Sequence, residues 1–127
     1  MQKKVDLSEI KVCVKGGGDL ASGVAWRLNQ CGFRVFMTEI DQPMAVRRKV
    51  AFCDAIYHGS TVVEGVEAIL VHKTDEVFSL WVQRKIPILV DPKSKTCNVI
   101  RPDVVVDAIL AKKNIGTSMH DAPLVIA

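Results

Sequence analysis

The stretch KVCVKGGGDLASGVAWRL, residues 11 to 28, decides the fold. β-Branched apolar residues run from Ile10 to Val14, three glycines follow, and apolar residues recur at helical spacing from Ala21 to Gln30. This order predicts a strand, a glycine loop and a helix. Gly32 is a typical left-handed helix cap, and FRVFMT, residues 33 to 38, predicts a second strand. The chain therefore opens with a β-α-β unit.

The remaining sequence continues the alternation of strands and helices. Pro43 suits the first position of a second helix, Thr74 suits the cap of a third, and Glu64-Gly65 is a turn signal inside a hairpin. Asp91 and Pro92 close a fully apolar strand of the kind buried on both faces of a parallel sheet. The predicted elements are a helix over 43–56, a hairpin over 60–73, a helix over 75–85, and strands over 87–90, 104–106 and 122–127.

Alternating strands and helices predict an α/β fold: a Rossmann-like three-layer domain with a mostly parallel sheet and a β-hairpin insertion. A chain of 127 residues has room for one such domain, spanning residues 1–127. The predicted last strand ends at Ala127 with no helix to cover it. Two alternatives follow: a further C-terminal portion is missing from the chain, or a partner subunit covers the strand in a homodimer.

Composition excludes several functional classes. The net charge of +3 is mild and the basic residues are dispersed, which argues against a nucleic-acid partner. The four cysteines lie far apart, with neither a C-x-x-C pair nor a histidine at metal-ligand spacing, so no metal site is predicted. No segment has the pattern of a secretory signal or of a bilayer-spanning helix, and the predicted location is the cytoplasm.

The glycine loop fits G-x-G-x-x-A, a variant of the dinucleotide-binding fingerprint. The loop follows a predicted strand, opens a helix and precedes Glu39 by about twenty residues, as a ribose-binding acid would be placed. A tight turn at that point delivers backbone N–H groups to a pyrophosphate, and an acid at position 39 favours NAD over NADP. The predicted ligand-binding residues of the loop are Gly16, Gly17, Gly18, Asp19 and Leu20.

Two other interpretations of the loop remain open. Asp19 places a carboxylate where phosphate charge would be stabilised, and it could instead cap the helix in a purely structural turn. Lys15, directly before the glycines, is similar to the strand-end lysine of amino-acid kinases, where a Gly-Gly loop holds the transferred phosphate.

Four further residues are candidates for the same site. Asp91 and Asp107 end apolar strands, and the carboxyl ends of parallel strands line the ligand crevice. Turn formation or helix capping explains such aspartates equally well. Arg47 and Arg48 follow the second strand and could reach an anionic ligand, although a solvated helix face is as good an account. None of the three histidines has a partner at a spacing that implies a metal site or a catalytic array, and no nucleophile motif appears. The sequence therefore indicates a binding site more clearly than a catalytic one.

The chain resembles the YqeB-type accessory proteins of selenium-dependent molybdenum hydroxylases. The segments that carry the resemblance are VKGGGDLASGVAWRL, GFRVFMTEIDQPMAVRRKVAF, YHGSTVVEGV, IPILVDP, and RPDVVVDAILAKKNIGT with DAPLVIA, in this order along nearly the whole chain. That family is similar in turn to the Rossmann-like domain of XdhC-type maturation factors, which help insert or modify a molybdenum cofactor. Its members typically continue past the last strand into another glycine-rich loop.

The resemblance implies a cytoplasmic maturation factor without an assigned turnover. Its partners would be a molybdenum hydroxylase or the cofactor-insertion machinery, and its ligand a nucleotide or a molybdopterin dinucleotide. The family's glycine loop, acidic strand end, arginine pair and later aspartates fall on the residues already selected. An NAD-dependent oxidoreductase is the alternative function, and an amino-acid-kinase-like phosphotransferase is a further one.

Overall fold

The computed structural model describes residues 7–40, 51–93, 95–108 and 124–126. The helices are α1 (Asp19–Gln30), α2 (Ala55–His58), α3 (Asp75–Val82) and α4 (Thr96–Ile100), with short 3₁₀ turns at Leu7–Glu9 and Phe52–Asp54. The strands are β1 (Lys11–Lys15), β2 (Arg34–Glu39), β3 (Ser60–Val63), β4 (Val66–Val71), β5 (Ile86–Val90), β6 (Val104–Asp107) and β7 (Leu124–Ile126).

The seven strands form one sheet in the order β3-β4-β5-β2-β1-β6-β7. Every neighbouring pair is parallel except β3 and β4, which are antiparallel. Glu64 and Gly65 join β3 to β4 with φ angles of 45° and 82°, the left-handed pair that matches strand twist in a two-residue turn. The α/β class and the mostly parallel sheet are confirmed.

Two apolar clusters cover the two faces of the sheet, because successive strand residues point to opposite faces. Val12 and Val14 of β1 join the first cluster with Ala21 and Ala25 of α1 and Phe52. On the opposite face, a second cluster combines strand residues with the helices α3 and α4: Cys13, Phe36, Val71, Val77, Leu80, Trp81, Leu89, Cys97, Ile100 and Val105. The result is three layers, with β1 and β2 buried in the middle.

Several element boundaries differ from the predictions. Most of the predicted helix over 43–56 lies outside the described residues, and its end is a 3₁₀ turn followed by the short helix α2. α3 ends at Val82, not at residue 85, and β5 begins one residue before Pro87. Helix α4 was not predicted. Among the described residues, no helix is long and apolar enough to cross a membrane.

Candidate functional site

The glycine loop connects the carboxyl end of β1 to the start of α1, at the centre of the sheet. β1 lies between β2 and β6 in the sheet. The strands β2 to β5 lie on one side of β1, and the later strands β6 and β7 lie on its other side, so the strand order reverses at β1. Such a switch point opens a crevice at the carboxyl edge, where parallel α/β sheets bind ligands. Gly16 turns the chain with φ of 104°, a conformation that L side chains rarely adopt, and its N–H donates to Thr38 O at 2.7 Å.

Glu39 is bound directly to the glycine loop. Its Oε2 accepts the Gly17 N–H at 2.6 Å, and its Oε1 accepts the Ile40 N–H at 2.8 Å. The carboxylate therefore links the carboxyl ends of β1 and β2 and holds the loop in place. A carboxylate offers about four acceptor positions, so two backbone bonds leave capacity for the hydroxyls of a ribose.

Gly17 and Gly18 have opposite surroundings. A Cβ on Gly17 would lie 2.8 Å from Cys53 Cβ, closer than side-chain carbons approach, and Gly17 O also accepts the Cys53 N–H at 2.9 Å. A Cβ on Gly18 would meet nothing within 4 Å. Gly17 is thus required by packing inside the protein, whereas Gly18 leaves the space into which a ligand could enter.

Gly18 is also the N-cap of α1, with extended backbone, and as a glycine it has no side chain to cap the helix. The interpretation of Asp19 as the N-cap is therefore wrong: Asp19 is the first helical residue, because its backbone already adopts helical geometry. Its carboxylate in the first turn favours the helix electrostatically. Leu20 follows in the helix and is 55% exposed.

Asp91 follows β5 at the same edge, and its carboxylate is occupied by α4. Oδ1 accepts the Lys95 N–H at 2.9 Å, and Oδ2 accepts the Thr96 N–H at 2.7 Å and the Thr96 hydroxyl at 2.6 Å. The Asp91 N–H donates to Glu39 O at 2.8 Å, which fixes the two strand ends together. The geometry favours the helix-capping interpretation of Asp91 over direct ligand contact.

Asp107 ends β6 beside the glycine loop. It is in register with Lys15 of β1, and the Ala108 N–H donates to Lys15 O at 3.0 Å. Lys15 is 1% exposed, so its ammonium is enclosed by the protein and not presented to solvent. Arg47 and Arg48 lie outside the described residues.

The histidines and cysteines that the structure describes form no further metal site. His58 lies 3.7 Å from Asp54 on the same helical turn, and His72 is exposed. His120 lies outside the described residues. Within the parts of the chain that the structure describes, no three potential metal ligands come together.

Cys13 lies on β1, two residues before Lys15. Its hydrogen bond with Cys97 and its burial raise the pKa of the Cys13 thiol well above the ordinary value of 9.0. Both thiols are buried in the second cluster. Cys13 is therefore a neutral thiol at physiological pH and a packing residue.

Two residues that support the loop were not identified from the sequence. Ser22 is buried in α1; its hydroxyl donates to Gly17 O at 3.0 Å and accepts the Phe52 N–H at 2.7 Å. Cys53 contacts Gly17 as described above. Nothing in the sequence distinguishes this serine from any other polar residue of a helix. Its role depends on the Phe52–Asp54 turn, which lies close enough for Ser22 to join that turn to Gly17.

Comparison with curated proteins identifies a relative in Escherichia coli (strain K12), named there as uncharacterized protein YqeB. The two sequences are 45% identical over 116 residues, which is 91% of this chain. The chain is similar to YqeB. It spans about a fifth, 21%, of that relative's length. No protein-family model matches the chain, and no solved structure matches it.

The identity shows that this chain is similar to part of YqeB. The relative has no assigned activity in its name, and the similarity to XdhC-type maturation factors stays a prediction.

Proposed function

We propose that this chain is a Rossmann-like, YqeB-type accessory factor that binds a nucleotide-bearing cofactor or precursor at the glycine loop and serves a selenium-dependent molybdenum hydroxylase. The open space at Gly18 carries the proposal, because it lies at the start of a twelve-residue helix at the switch point of a parallel sheet. The link to the hydroxylase rests on the resemblance of the sequence segments.

The residues present suit a nucleotide in two respects. The first N–H groups of α1 have no acceptor within the helix and can receive a phosphate that approaches over Gly18. Glu39, held at the loop by Gly17, can accept hydrogen bonds from a ribose as well. Gly16, Gly18 and Leu20 would thus border the phosphate, and Glu39 the ribose, while Asp91 and Asp107 would shape the edge.

No observation favours the kinase alternative, since Lys15 is enclosed. The oxidoreductase alternative needs a proton-relay residue near the loop, and no observation on the described side chains there supports one. The proposal is therefore a binding function.

The test is a calorimetric titration of the whole chain with NAD, ATP, CTP and molybdopterin cytosine dinucleotide. We expect one of them to bind, and Gly18→Val to weaken that binding at least about tenfold by filling the open space without a clash. Gly23→Val is the matched control, because Gly23 also has open space around it but lies on the exposed face of α1.

Absence of binding by all four compounds would contradict the proposal, as would equal binding by the Gly18→Val variant. If the wild-type chain turns over NADH and Gly18→Val abolishes that turnover, the oxidoreductase function would replace the proposed binding function.

A further inference from the structure

A second cleft lies at the amino edge of the sheet, opposite the glycine loop. It has a volume of about 420 Å³, within the range of small-molecule sites. The residues after α1, the first residue of β2 and the end of α3 form its walls. We call it the amino-edge cleft; the residues that matter here are Phe33, Arg34, Trp81, Arg84 and Lys85.

The charge of the amino-edge cleft is positive. Three of its lining residues are Arg34, Arg84 and Lys85, and none is Asp or Glu. Lys85 forms an ion pair with Glu67 at 3.0 Å. Within the described parts of the chain, neither arginine has a carboxylate at ion-pair distance. Among the described residues, two arginines therefore line the cleft without a carboxylate at ion-pair distance, and guanidinium is the preferred protein group for phosphates and carboxylates.

The aromatic walls of the cleft are held in place. Trp81 Nε1 donates to Val35 O at 2.8 Å, which fixes the indole, and the Arg34 guanidinium lies 5.9 Å from the centre of that ring. Trp81 is 8% exposed, so only a small part of the indole reaches the cleft, whereas Phe33 is half-buried and lines the same space. Fixed aromatic surfaces beside cations lower the cost of ordering a ligand that carries both a flat ring and a negative charge.

Arg84 can be replaced by glycine without straining the backbone, so its part in ligand binding can be tested apart from the stability of the fold. α3 ends as α1 does, with the Arg84 N–H donating to Trp81 O and the Lys85 N–H to Leu80 O, both at 3.0 Å. In α1 the equivalent residue is Gly32, with φ of 98°, whereas Arg84 adopts φ of 59°. Glycine is the favoured residue at this left-handed position. Loss of the arginine side chain should therefore not cost stability through the backbone.

We propose that the amino-edge cleft is a binding site for a small aromatic phosphate monoester, whose phosphate is held by Arg34 and Arg84 and whose ring packs against Phe33 and the exposed part of Trp81. The proposal is independent of the one for the glycine loop, because the two lie at opposite edges of the sheet. Lys85 adds positive charge at the rim while remaining paired with Glu67.

The test uses phenyl phosphate as the probe, with inorganic phosphate and phenol as comparators, titrated into the whole chain and followed by calorimetry. We expect phenyl phosphate to bind more tightly than either comparator, since only it engages both the guanidinium groups and the aromatic walls. Binding of inorganic phosphate with the same affinity as phenyl phosphate would overturn the claim that the aromatic ring contributes to binding. Absence of binding by phenyl phosphate would overturn the whole proposal.

Arg84→Gly is the decisive variant, with Arg34→Gln as a second. Each should weaken phenyl phosphate binding at least about tenfold, the effect of losing one charged hydrogen bond. Arg84→Gly should keep or raise the thermal midpoint. Arg101→Gly is the matched control: Arg101 has φ of 54° at the end of α4 and does not line the cleft. Unchanged binding by Arg84→Gly, or equal weakening by Arg101→Gly, would overturn the proposal.

Discussion

Gly17 and Gly18 are neighbours in the chain with opposite structural roles. Gly17 packs against the Cys53 backbone and Cβ, whereas Gly18 faces open space. The dinucleotide-binding fingerprint predicts that both glycines belong to the ligand-binding loop. The structure divides them into a packing residue and a residue that borders the proposed ligand.

We predict that Gly17→Ala lowers the free energy of unfolding by about 1–3 kcal/mol, because the added Cβ must displace Cys53. Gly18→Ala should change it by less than about 0.5 kcal/mol, since extended backbone at φ of −75° accepts any residue. Urea unfolding of both variants checks this difference. Equal destabilisation by the two substitutions would contradict the assigned packing.

The neutral Cys13 thiol makes stability depend on pH. Its pKa is raised in the folded chain, so above pH 9 the unfolded state releases a proton that the folded state keeps. Stability should therefore fall as pH rises, by up to about 1.4 kcal/mol per pH unit for one group. Unfolding measured between pH 7 and 10.5 should show this slope, and Cys13→Val should make it shallower. An identical slope in the variant would exclude Cys13 as a cause.

Helix α4 depends on one aspartate at its beginning. A five-residue helix has little stability of its own, and Asp91 accepts two backbone N–H groups and one hydroxyl there. Asp91, which the sequence suggests as a ligand-binding residue at the end of a strand, thus joins β5 to the following helix.

Asp91→Ala should lower the free energy of unfolding by about 0.5–2 kcal/mol through loss of this cap. Asp75→Ala is the matched control, because Asp75 lies in the first turn of α3 without a side-chain hydrogen bond among those observed, and should cost about 0.5 kcal/mol or less. Thermal or urea unfolding distinguishes the two. The capping role fails if Asp91→Ala is no more harmful than Asp75→Ala.

Across the whole molecule, the sheet separates two candidate sites. The glycine loop with Glu39 lies at the carboxyl edge, and the amino-edge cleft lies at the other ends of the same parallel strands. The glycine loop follows a buried strand, and helix ends and short turns form the cleft, so we expect each site to retain its geometry when the other is altered.

We expect the two sites to bind independently. Gly18→Val should leave the affinity for phenyl phosphate unchanged within about twofold, and Arg84→Gly should leave nucleotide affinity unchanged, because distant sites without shared partners behave additively. Parallel titrations of both variants with both probes measure the coupling. A tenfold cross-effect would show that the edges communicate.

The local sequence determined the β1-loop-α1-β2 unit, the Glu64-Gly65 turn and the alternation of strands and helices, because periodicity, glycine position and turn chemistry act over a few residues. It also placed Glu39, Asp91 and Asp107 at one edge, since parallel strands share their carboxyl end. Only the tertiary structure decided what those residues contact. Glu39 meets Gly17, Cys53 closes over Gly17, and the helix ends assemble the amino-edge cleft, all through pairings of residues remote in sequence that no local pattern encodes.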